Sequence, residues 1–135
     1  MKRAILAFLA GLVAWTLVVS LLNRALRGML DGYAAAEPTM TFTLGMMAAR
    51  LTIAAVTSLL AGVVTRWVAP AGNRVAVVLG LFLLVAFIPI HASLWNHFPI
   101  WYHLTFLLTL VPLVVLGSWF AARAQGAKPP VLANS

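Results

Sequence analysis

Arg50 is a lone charge inside an apolar stretch, and three histidines, His91, His97 and His103, follow it later in the chain. A guanidinium stays protonated and offers five N–H donors in a planar fork. Its chemistry is recognition of an anion or polar group, not proton transfer. A neutral imidazole can ligate metal or haem, shuttle a proton, or hydrogen-bond at an interface. The run from His91 through Trp95 and Trp101 to His103 is the most polar and aromatic in the sequence. Arg50, His91, His103, Trp95 and Trp101 are therefore the candidate ligand-binding residues. His97 falls in a connection and reads as a solvated loop histidine. No metal-ligand spacing and no acid accompany the three, so no dedicated zinc or iron site is expected. Each candidate also has a plainer reading. Arg50 could snorkel to head groups or bind helix carbonyls, and the histidines could serve only as interfacial hydrogen-bonding groups.

Those residues have to be carried by membrane helices. Apolar residues make up 64% of the 135-residue chain and charged residues 8%. A soluble domain leaves more than half of its surface to apolar atoms already, so it has no means of hiding such an excess from water. A bilayer core about 30 Å thick takes roughly 20 apolar residues per helix. Four stretches qualify, at about 4–22, 41–64, 75–94 and 99–122. The fold class expected is an all-α compact bundle of four transmembrane helices. Residues 1–123 form one domain, and 124–135, with Pro129-Pro130 and no apolar period, form a disordered cytoplasmic tail.

The first stretch follows Met1-Lys2-Arg3 like a secretory signal, but its apolar run exceeds the usual core of about 7–15 residues and lacks a good cleavage site. It reads as an uncleaved span whose helix could continue to Leu30, with Arg27 and Asp31 paired at i,i+4 and Gly32 as the stop. Gly32–Pro38 is then a loop. The second stretch has an unusually small surface, with Gly45, Ala48, Ala49, Thr52, Ala55, Ser58 and Gly62 at helical steps. Small residues let helices approach closely in lipid, so this helix should pack centrally, against two others. Pro89 and Pro112 predict kinks in the third and fourth helices.

Eight of the nine basic residues lie at the chain ends or between spans. With four spans, Lys2, Arg3, Arg66, Arg74, Arg123 and Lys128 share one side, while Arg24 and Arg27 share the other with Asp31 and Glu37. Basic residues accumulate in cytoplasmic loops, so both termini are expected in the cytoplasm, in a bacterial-type inner membrane. Scattered singly, these cations fix topology and touch anionic lipid. They do not form a nucleic-acid surface. Helical side chains lean toward the helix's own N-terminus, which lifts the Arg50 head group toward the outer side, near the level of His91 and His103.

Absences narrow the function. Without cysteine there is no disulfide, thiolate site or covalent c-type haem. No span holds a carboxylate, the common proton relay of coupled transporters. Small multidrug exporters share the span count, but the glutamate of their first helix has no counterpart here. The glycine-rich N-terminal pattern of small fluoride channels is missing too. No catalytic constellation is legible, and no enzyme is expected. Three readings follow, in this order. The first is a non-catalytic accessory or interaction subunit, with the bilayer, other membrane proteins or further copies of itself as partners and no resident cofactor. The second is a small channel or transporter with an outward-facing anion or polar-solute site around Arg50. The third is a redox module holding haem b or quinone between His91 and His103, since axial histidines approach one iron at matched depth.

Overall fold

The computed structural model describes residues 1–70 and 72–126. Its long helices are α1 (Lys2–Met29), α3 (Leu44–Val68), α4 (Arg74–Ser93) and α5 (Ile100–Gly126), with a short α2 (Tyr33–Ala36) between the first two. The shortest of the four long helices, α4, has 20 residues, which at 1.5 Å each spans about 30 Å, one bilayer core. All four are long and apolar enough to cross a membrane. The protein is a small four-helix membrane bundle.

The helix limits follow local chemistry. The Thr43 hydroxyl accepts from the Met46 N–H at 3.3 Å and caps α3, which delays its start to Leu44. Pro89 and Pro112 both lie inside uninterrupted helices. α5 continues through Gly126, past the start of the tail expected from the sequence. The rest of that tail, residues 127–135, lies outside the described residues.

α3 packs most extensively against α5 and then α1, while α4 closes the ring against α5 and, more lightly, α1. The central placement of α3 is as expected, but only part of its small surface provides it. A methyl group on Gly62 would lie 1.9 Å from the Val114 carbonyl oxygen, and one on Gly117 would lie 2.0 Å from that of Leu59. The two glycines let the α3 and α5 backbones touch, the route to helix association where no water drives it. Ala54, Ser58, Ala61 and Thr65 are also buried. Gly45, Ala48 and Thr52 are exposed, and a Cβ at Gly45 would meet only Thr43 Oγ1, at 4.0 Å. The smallness of those three residues does not serve packing within the bundle.

The core joins Trp15, Ala61, Ala76, Leu79, Leu83, Leu110 and Val114. Trp15 donates its indole N–H to Ser58 Oγ at 3.3 Å, and Ser58 donates to the Ala54 carbonyl, which ties α1 to α3. Large apolar side chains such as Leu17, Phe82 and Leu108 face outward, the arrangement a lipid solvent favours. Polar residues on that outer face satisfy themselves. Thr16, Ser20, Thr52 and Ser93 each donate to a carbonyl three or four residues back.

The connection after α1 is folded, where the sequence reads as a loop. Gly32 adopts φ +78°, open to glycine at no steric cost, and turns the chain into α2 and a 3₁₀ turn over Glu37–Thr39. Arg27 pairs with Glu37 through two hydrogen bonds of 2.6 and 2.9 Å. The expected Arg27–Asp31 pair does not form, and Asp31 is exposed. Helix α1 ends before Asp31, which removes the helical spacing the pair needs. The Arg27–Glu37 pair secures α2 across the end of the bundle away from the termini, here called the distal end.

Candidate functional site

Helix α3 begins at Leu44, so Arg50 sits in its second turn, and its side chain leans back toward the distal end. There it donates Nη1–H to the Tyr33 hydroxyl at 2.6 Å and Nε–H to the Tyr102 hydroxyl at 3.1 Å. These are the only two tyrosines in the sequence. With no carboxylate in any span, a hydroxyl is among the few acceptors that lipid-facing helices can offer a guanidinium.

Four aromatic rings cover this cation. Tyr33 stacks on Phe42 (5.2 Å between centroids), Phe42 on Phe98 (5.7 Å) and Phe98 on Tyr102 (4.3 Å). The guanidinium carbon lies 4.8 Å from the Phe42 centroid and 5.9 Å from that of Phe98, within cation–π range. The stack joins the connection after α1 to the one before α5, and its two end rings supply the hydroxyls that hold Arg50.

Burying the charge costs about 2.5–3.5 kcal/mol at mid-membrane on insertion scales. Two hydrogen bonds to a charged group return about 1.5–3 kcal/mol each, and cation–π contacts about 0.5–2 more. Together these gains of about 3.5–8 kcal/mol cover the cost, so Arg50 is held where it stands. Its Nη2 has no hydrogen bond among the described residues, and it is not a buried orphan. It remains available.

Arg50 also lines a cavity of about 240 Å³ between the long helices. Trp15, Val19 and Asn23 line it from α1, Arg50, Ile53 and Ala54 from α3, Phe87 from α4, and Tyr102 and Phe106 from α5. Its polar groups, Arg50, Tyr102 and Asn23, accompany mostly apolar walls.

The histidines form a separate pair beyond Tyr102. His91 Nδ1 and His103 Nδ1 are 2.7 Å apart, the rings nearly perpendicular at 84°. Both are buried, and His103 Nε2 has no partner among the described residues. A proton on that nitrogen would be a buried, unsatisfied donor, so it belongs on His103 Nδ1, donated to His91. Trp95 stacks on the His103 ring at 4.8 Å and 10°. Trp101 is exposed and meets Tyr102 edge to face. His97 is exposed.

The five expected residues therefore divide. Arg50 hydrogen-bonds neither imidazole; its Nε and Nη1 donors go to the tyrosines. His91, His103 and Trp95 form one cluster, and Trp101 stands outside both. The pair does not suit a haem iron. Two in-line nitrogen ligands at about 2.0–2.1 Å would need roughly 4 Å between them, and these nitrogens are in hydrogen-bond contact. No group of three or more metal-ligating side chains occurs among the described residues.

Sequence reasoning missed Tyr33, Phe42, Phe98, Tyr102 and Asn23. The usable signal was the need of a buried guanidinium for oxygen acceptors, which in a chain with no intramembrane acid points to its two tyrosines. Comparison with family models, with curated proteins and with solved structures finds no match to this chain.

Proposed function

We propose that this is a non-catalytic membrane protein that binds a small anion with an apolar body at Arg50. What supports the reading is that Arg50 lines the cavity with Tyr102 and Asn23 while its Nη2 makes no hydrogen bond among the described residues. A guanidinium held by two neutral hydroxyls keeps its full charge, so the site presents net positive potential in a low-dielectric setting. At about 240 Å³ the cavity is smaller than the roughly 300–1,000 Å³ typical of drug-sized ligands. A compact carboxylate with a ring or short chain suits it: head group on Arg50, body against Trp15, Phe87 and Phe106.

Of the three readings above, the solute site is the one with a built set of groups. Service as an accessory subunit is compatible with it, the bound anion then being a signal to a larger membrane partner. The basic asymmetry of the two ends supports both termini facing the cytoplasm across a bacterial-type inner membrane. The Arg50 cavity then lies toward the outer side.

Isothermal titration of the purified full-length protein with benzoate and benzyl alcohol tests the reading. Benzoate should bind roughly ten- to hundredfold more tightly, the weight of one charge-assisted hydrogen bond of about 1.5–3 kcal/mol. Equal affinity for the two would remove the anion site. Benzoate efflux from protein-containing liposomes above the protein-free rate would make the protein a channel or transporter.

A further inference from the structure

Charge and apolar surface also meet at the other end of the molecule. A groove of about 430 Å³ with almost wholly apolar walls runs between α1 and α4 at the terminal end, lined by Ile5, Phe8, Val78 and the apolar stem of Arg74. The Phe8 ring meets Phe82 edge to face at 5.4 Å, which fixes one wall. Ile5 and Val78 are 54% and 56% exposed, so the groove opens on the surface that fronts lipid. Lys2 and Arg3 are exposed at the same end, and both acids, Asp31 and Glu37, lie at the opposite one.

From this we infer that the groove is a binding site for one anionic phospholipid, its acyl chain along Ile5, Phe8 and Val78 and its phosphate at Arg74. Lipid tails are the apolar rods that such a surface meets. The groove itself accepts any of them, and charge complementarity at the rim makes the selection. Arg74 opens α4, whose cap residue Asn73 accepts from the Ser118 hydroxyl through Oδ1 at 2.8 Å and does not cap the helix. The first turn of α4 thus has no side-chain cap for its N–H groups. This site is independent of the Arg50 cavity, with which it shares no residue.

Native mass spectrometry of the full-length protein, loaded with phosphatidylglycerol and phosphatidylcholine of identical acyl chains, tests the inference. The wild type should retain phosphatidylglycerol preferentially. Arg74→Gln should lose about fivefold of that preference, the worth of one basic residue near a lipid surface. Val78→Trp, which fills the groove, should lower retention of both lipids. Arg24→Gln, an equal loss of charge at the distal end, should change neither. All three positions are at or near the surface and leave the core untouched. Equal retention of the two lipids by the wild type would overturn the site. So would equal loss in Arg24→Gln and Arg74→Gln, since net charge alone would then be acting.

Discussion

The two halves of the bundle hold helices together by opposite means. In the terminal half α3 and α5 meet backbone to backbone at Gly62 and Gly117, with no room for a methyl group on either. In the distal half the helices are held apart and bridged by large rings, a guanidinium and an imidazole pair, and a cavity remains between them. Close glycine contact maximises dispersion and excludes any guest. Aromatic and polar bridging gives up some of that contact, and the space it leaves admits one. Close packing and open space are thus separated along the bundle axis.

The largest test of that division is at the glycines. Gly62→Leu should abolish recovery of folded, monodisperse protein, because its first side-chain carbon alone already overlaps the Val114 carbonyl. Gly45→Leu should be recovered at wild-type yield, since open space surrounds that position. Similar losses in both would mean that smallness along all of α3 matters, as composition alone suggests.

Next in size is Tyr102→Phe, which deprives Nε of its acceptor while keeping the ring in the Phe98 stack. A charged hydrogen bond lost in a half-buried place should lower unfolding free energy by about 1.5–3 kcal/mol. Steric trapping or reversible denaturation in detergent reads this directly. Tyr33→Phe should behave alike at the other end of the stack. No effect in either would deny that the hydroxyls balance the cation.

The histidine pair carries a smaller effect with a distinctive form. His91→Leu or His103→Leu alone leaves one buried imidazole without its partner and should cost about 1–3 kcal/mol. The double replacement should cost less than the sum of the two, a coupling measured in a double-mutant cycle. Strict additivity would mean that the 2.7 Å contact contributes nothing.

How much of this could be read in advance follows the same division. The four spans were legible because a bilayer demands length and apolarity, and both are written locally. The upward reach of Arg50 was legible as well, from the lean of helical side chains. The packing face of α3 was not. Gly45, Ala48 and Gly62 look alike in sequence, and only the path of α5 separates them. Tyr33 sits among Gly32, Ala34 and Ala35, with no periodicity to mark it as buried. It is buried where the chain folds back, with Phe42 stacked on its ring and Arg27 paired to Glu37 across the same connection. His91 and His103 were rightly placed at one depth, but whether they face each other or a common guest depends on how α4 and α5 are rotated.

Arg50 is retained either for a guest or for the fold. Arg50→Gln gives up bonding gains that are offset only in part by the insertion cost it also removes, so it should fold with reduced stability. The decisive measurement is the thermal midpoint of wild type, Arg50→Lys and Arg50→Gln, each with and without saturating benzoate. The account predicts that all three fold, that benzoate raises the wild-type midpoint, that it raises Arg50→Lys less, and that it leaves Arg50→Gln unmoved. Unfolding of Arg50→Gln while Arg50→Lys stays folded, with no benzoate effect on the wild type, would make the residue a clamp between helices and the cavity an accident of packing.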